Sequence, residues 1–175
     1  MGQAAMALAA CSSLFAMSSV ASAEPVVRPG LDGTLVVAEG GSVAGGGRLG
    51  LAAGYNLEFD PLLLVPEIAV SGGGYGGEIE GGGFRGAIGM RAGLSLRYEP
   101  SLFVRGGYGH DTIEGFGRNG GCVQVGAALD VRLSRGLTLG PALTYDAGLY
   151  PGPGPEALFV VHTVALGASV AFWLQ

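Results

Sequence analysis

The sequence predicts an all-β fold, an eight-stranded antiparallel up-and-down transmembrane barrel, from three observations. Apolar and polar residues alternate with period two in segment after segment, the spacing at which a strand sends successive side chains to opposite faces. The chain is 49% hydrophobic and 13% charged, whereas an ordinary soluble domain is about one quarter charged. Tight turns also alternate with longer Gly-rich connections along the chain.

Composition narrows the field before any strand is placed. No stretch beyond residue 25 approaches the ~18 consecutive apolar residues of a spanning helix. The richest run, Leu62-Leu63-Leu64-Val65, is stopped by Pro66 and Glu67. High apolar content with a net charge of only −5 argues against disorder. The 35 glycines follow no collagen period. All nine basic residues are Arg, and the acidic balance excludes a nucleic-acid footprint.

The N-terminus reads as a targeting segment. Residues 1–23 carry no charge and end Val20-Ala21-Ser22-Ala23 before Glu24-Pro25, an apolar stretch closed by a small-x-small site, as in a secretory signal peptide. Cleavage between Ala23 and Glu24 is expected, followed by a periplasmic N-terminal segment at 24–30 and the barrel at 31–175. The segment lacks a basic n-region, which places the expected start codon upstream. Leu8-Ala9-Ala10-Cys11 also looks like a lipoprotein box that would acylate Cys11, and a retained helix is the third reading. After cleavage Cys122 is the single cysteine, so no intramolecular disulfide is expected.

Eight segments then follow in order. Segments 31–38, 62–70 and 101–109 are compatible with strands but weaker. In 48–59, Leu49, Leu51, Ala53, Tyr55, Leu57 and Phe59 oppose Arg48, Gly50, Ala52, Gly54, Asn56 and Glu58. In 84–98 the apolar parity of Phe84, Ile88, Met90, Leu94 and Tyr98 faces a parity holding Arg85, Arg91 and Arg97. In 122–133, Val123, Val125, Leu129, Val131 and Leu133 oppose Gln124, Gly126, Asp130 and Arg132. In 137–146, Leu137, Leu139, Leu143 and Tyr145 oppose Thr138, Gly140, Thr144 and Asp146. The last segment sets His162, Val164, Leu166, Val170, Phe172 and Leu174 against Thr163, Ala165, Gly167, Ser169, Ala171 and Trp173.

Tight turns are expected at 59–61, 98–101 and 134–136, and long Gly-rich loops near 39–46, 71–83, 109–121 and 147–158. Short turns at one end and long loops at the other describe an outer-membrane barrel, and an even strand count puts both termini on the periplasmic side. A soluble sandwich or barrel that binds a ligand also alternates. Its solvated face, however, would carry Lys, Glu and Thr, where this chain has Gly, Ala and Ser with a few charges. Aromatic residues fall near strand ends, as in interfacial girdles: Phe59, Tyr98, Phe172 and Trp173 by the turns, with Phe84, Tyr108, Tyr145 and Phe159 by the loops.

The stretch Gly93-Leu94-Ser95-Leu96-Arg97-Tyr98-Glu99-Pro100-Ser101-Leu102-Phe103-Val104-Arg105-Gly106-Gly107-Tyr108 resembles the strand, tight turn and following strand of the small eight-stranded outer-membrane β-barrel family, the OmpA/OmpX-like transmembrane domain. Gly167, Val170 and Phe172 resemble that family's assembly signal, although the chain ends Trp173-Leu174-Gln175. The resemblance spans roughly residues 31–175. It implies embedding in outer-membrane lipid, contact with the barrel insertion machinery during assembly, and a monomer. The family's peptidoglycan-binding role is not expected.

An eight-stranded barrel is just wide enough for side chains to fill, which argues against a general diffusion pore. The inward parity holds Arg48, Glu58, Glu67, Arg85, Arg91, Arg97, Arg105, Asp130, Arg132 and Asp146. Counted from the turns, Glu67, Arg91, Arg105 and Asp130 lie near mid-height and are expected to form a lumen ion-pair network, a structural plug. A narrow ion or small-solute channel is the alternative. No catalytic set is expected: His110 and Asp111 lack a serine at a diagnostic spacing. His162, on the outward parity, has neither serine nor carboxylate beside it. Two histidines and one exported cysteine do not make a metal site, and no cofactor is expected. The Gly runs 72–77 and 81–83 lack the strand-to-helix context of a phosphate loop and read as flexible loop tips. The loops, with Tyr75, Glu78, Ile79 and Glu80 in one and Asp111, Glu114, Phe116 and Arg118 in another, are the place for a surface ligand. The third, stiffened by Pro151, Pro153 and Pro155, is expected to fold over the mouth.

Overall fold

In the computed structural model eight antiparallel strands close on themselves, each paired with its sequence neighbours and the last with the first. Residues 22–38, 41–113, 115–151 and 158–174 are described. Residues 1–21 of the leader with Cys11, and likewise Glu114, Pro153 and Pro155, lie outside them, as does the side chain of Phe116. The strands are β1 Ser22–Ala38, β2 Val43–Phe59, β3 Leu62–Gly77, β4 Gly81–Leu94, β5 Tyr98–Ile113, β6 Phe116–Ser134, β7 Leu137–Pro151 and β8 Leu158–Trp173. Closure pairs β1 with β8 from Val26 opposite Trp173 to Ala38 opposite Val161. No sheet edge is left open, so the backbone groups of both end strands find partners without water.

The expected parity holds on every strand. Leu49, Ile68, Ile88, Leu102, Val123, Leu143 and Leu166 are exposed on the outer face, while Arg85, Arg91, Gln124, Asp130 and Asp146 are buried inside. A monomeric soluble protein rarely exposes an apolar patch beyond a few hundred Å². Here large apolar side chains are exposed on every strand around the circumference, an outer surface suited to hydrocarbon rather than water. Tyr55, Tyr98 and Phe172 are exposed toward the turn end, with Phe84, Tyr108 and Tyr145 toward the other.

Four expectations are corrected. Residues 24–30 are strand rather than a free N-terminal segment. Pro25 and Pro29 hid the alternation, but Val26 and Arg28 between them point inward and are buried, and the strand pairs Glu24 with Asn56. The turn expected at 98–101 lies at Ser95-Leu96-Arg97, so Glu99 is an inward strand residue and Arg97 is exposed in the turn. Proline there marks a strand residue, Pro100, facing outward. The Gly-rich segments read as long loops are mostly strand: Gly73, Gly74 and Tyr75 pair with Gly83, Gly82 and Gly81, and β5 continues to Ile113. Glycine carries no hydrophobic signal and a poor strand propensity, so periodicity falls silent where the ladder does not. Finally, Trp173 and Phe159 point inward and leave the girdles; Trp173 is 8% exposed, and Phe159 packs against an internal apolar cluster.

Candidate functional site: the barrel lumen

The ends of the lumen are apolar. Toward the turns, Val26, Leu63, Val65, Ala171 and Trp173 form one cluster. Toward the loops, Val36, Ala38, Ala44, Ile79, Tyr150 and Val161 form another, with Tyr75, Ile113 and Phe159 against it. Between these clusters, and beside the one at the turn end, the inward positions carry charge, arranged in three groups.

Glu67 anchors the middle group. Arg105 donates to its Oε1 from Nε at 2.9 Å and approaches it with Nη2 at 2.8 Å, while Arg91 Nε stands 3.6 Å from Oε2. Register explains the reach: Glu67 is opposite Gly89, and Gly89 is opposite Arg105. With no side chain on Gly89, the Arg105 side chain crosses β4 to its partner. Phe103 lies beneath both guanidiniums, 4.7 Å from that of Arg91 and 4.4 Å from that of Arg105. Arg91 also donates to Ser101 Oγ at 3.0 Å. The expected fourth member, Asp130, contacts neither of these arginines. It accepts from Arg28 Nη1 at 2.6 Å, with Ser169 Oγ 3.4 Å from its other oxygen.

The second group lies toward the loops. Arg48 and Asp32 are register partners across β1 and β2, with Nη2 2.9 Å from Oδ2. Arg85 spans two carboxylates, donating to Asp111 at 2.7 Å and pairing with Asp146. Asp146 also accepts from Gln124 at 2.7 Å and lies 3.6 Å from Arg48. The Tyr150 hydroxyl donates to Asp111. The third group, near the turns, joins Arg132 to Glu99 at 2.7 Å, with the guanidinium 4.5 Å over the Trp173 ring. Ser95 links it to Glu58, accepting from Arg132 at 3.3 Å and donating to the Glu58 carboxylate.

The sequence reading missed Arg28, Asp32, Glu99 and Asp111 as lumen residues. Asp111 sat in a supposed loop and Glu99 in a supposed turn. The available signal was parity: Arg28 shares it with Asp32, Glu99 with Arg105, and Asp111 with both. The lumen retains small cavities, one of about 70 Å³ and one of about 40 Å³, and Arg48 and Arg85 line both.

Gly89 yields a direct prediction. A Cβ there would stand 2.1 Å from the Val104 carbonyl oxygen and 2.7 Å from Arg105 Cγ. Gly89→Ala is expected to cost about 1–3 kcal/mol by overpacking, measured as a lower urea midpoint for the refolded barrel.

The histidines sit outside the lumen. His110 pairs with Asn119 at 2.9 Å, and His162 with the Tyr145 hydroxyl at 2.6 Å on the outer wall. Cys122 is a buried thiol. Among the described residues no group of His, Cys, Asp and Glu has the arrangement of a metal site.

No protein-family model and no curated protein matches the sequence. Solved structures do match in fold. Neisserial surface protein A superposes with a TM-score of 0.68 at 14% identity, covering 87% of this chain and 99% of that one. The outer membrane enzyme PagL gives 0.55 at 13% identity, covering 80% and 97%. Ail, the attachment invasion locus protein of Yersinia pestis, in complex with the heparin analogue sucrose octasulfate, gives 0.52 at 18% identity, covering 86% and 99%. The chain therefore has the fold of the small eight-stranded outer-membrane β-barrels.

Proposed function

We propose that this chain is an outer-membrane barrel with a structural or surface-interaction role, its lumen closed by the Arg/carboxylate groups and the two apolar caps. One observation carries the reading: the polarity is inverted, with apolar side chains outside and paired charges inside. A bilayer stabilises the first, and pairing with hydrogen bonds makes the second tolerable. The leader is cleaved between Ala23 and Glu24, which leaves β1 intact from Glu24 onward. Both termini, which share the end bearing the turns, face the periplasm. The insertion machinery reads the outward Val170 and Phe172 of β8, and the barrel works as a monomer in outer-membrane lipid. The role is non-catalytic: His162 and His110 are held by Tyr145 and Asn119, not by a serine and a carboxylate. A surface ligand would meet the loop end.

Fractionation with heat-dependent gel mobility tests this. The protein is expected in the outer-membrane fraction, migrating as a compact band until boiled. Recovery from the soluble periplasmic fraction would support the ligand-binding soluble barrel instead.

A further inference from the structure

Past the aromatic residues at the loop end, the outer wall differs from one side of the barrel to the other. β5 and β8 are both 16 residues long, more than the ~9–11 that a tilted spanning strand needs. On β5 the outward residues past Tyr108 toward the loops are His110 and Thr112, opposite Asn119 and Gly117 of β6. On β8 every outward residue from Phe172 to Leu158 is apolar except His162. Leu149 and Val160 stand opposite one another past Tyr145, with Leu158 opposite Pro151 beyond them. Leu158 is 64% exposed, as bare as Leu166 in the middle of the wall at 66%. Val37 and Val43, paired across β1 and β2 with Val37 opposite His162, widen this patch. The polar break is matched within the wall: His162 and Tyr145 hydrogen-bond at 2.6 Å, with ring centroids 5.9 Å apart. A polar pair in an apolar surround needs such a bond.

We propose that lipid acyl chains cover the β7–β8 wall up to Leu158, so that the hydrocarbon boundary runs higher here than on β5 and β6, where it ends at Tyr108. The inference rests on the outer-membrane reading above. The occupant follows from continuity: Leu149, Val160 and Leu158 extend the strip of Val164 and Leu166, with only the His162–Tyr145 pair as a polar break. A second copy is disfavoured by size, because a stable interface buries about 800 Å² per partner and these five side chains supply less. A hydrophobic surface taller than the bilayer is met by tilt or local thickening, and an apolar excess confined to one side favours tilt. The lean sinks the β7–β8 lip and lifts the opposite one. The lip from β3 to β6, with Glu78, Glu80, His110 and Asn119 exposed along it, is then the part of the loop end that a surface ligand meets.

The full barrel is refolded into phosphatidylcholine vesicles, carrying Cys122→Ala and one new cysteine in place of Leu158, Thr112 or Leu166. A charged, membrane-impermeant thiol reagent is supplied to both faces. Leu158→Cys is expected to react at least about tenfold more slowly than Thr112→Cys, because hydrocarbon disfavours both the thiolate and the charged reagent. A bimane fluorophore on the Leu158→Cys thiol is expected to be quenched by lipids brominated on their acyl chains as strongly as one on Leu166→Cys. Equal reactivity of Leu158→Cys and Thr112→Cys, with Leu166→Cys protected, would overturn the proposal and leave the membrane barrel standing. Fast reaction at Leu166→Cys as well would overturn the membrane reading itself. Protection of Leu158→Cys without quenching by brominated lipid would assign the patch to a second copy of the chain and so also overturn the proposal.

Discussion

Glu67→Ala is expected to destabilise the barrel by about 3–5 kcal/mol, because it strands buried arginine charge in a medium that solvates it poorly. Both Arg91 and Arg105 lean on this one carboxylate, and removing it leaves Arg91 with only Ser101 and the face of Phe103. The loss is read as a lower urea midpoint in the fluorescence of Trp173, the single tryptophan. Replacing all three together, Glu67→Leu with Arg91→Met and Arg105→Met, is expected to recover most of it. Apolar residues of similar volume leave no unpaired charge, and the methionine stems keep their contact with Phe103. A triple variant as unstable as Glu67→Ala would show that the stability comes from the ion pairs themselves.

Arg85→Met should be comparably severe, at about 3–5 kcal/mol. Arg85 joins Asp111 and Asp146, which are 2% and 0% exposed. Without it Asp111 keeps the Tyr150 hydroxyl, while Asp146 keeps Gln124 and a distant Arg48. Arg85→Lys is a useful companion: it preserves charge but lacks the planar fork that spans two carboxylates, and should fall between wild type and Arg85→Met.

How much of this could be read from the sequence follows from what periodicity encodes. It encodes face, and face was legible wherever large apolar residues alternate, as in 48–59 and 122–133. Glu67, Arg91 and Arg105 were legible as neighbours because their strands are adjacent and their heights can be counted from the turns. The partner of Asp130 was not. Arg28 lies on β1, three strands away around the barrel, and which residues face each other across a lumen depends on strand stagger, which local pattern does not carry. Pro25 and Pro29 further disguised the strand that holds Arg28. Glu99 and Asp111 were hidden by the residues around them, a proline in one case and a run of glycines in the other. Those glycines serve the site: a Cβ on Gly83 would collide with Asp111 Oδ1 at 1.7 Å. Small residues on the inner wall make room for the long charged side chains opposite.

The central claim is that this barrel lumen is closed, by paired charge at mid-height and by apolar caps at both ends. Recording from the refolded wild-type barrel in a planar lipid bilayer tests it most directly. Insertion should leave the baseline without regular conductance steps across the voltage range. Reproducible single-channel steps from the wild-type chain would contradict the account and assign the arginines to an ion path.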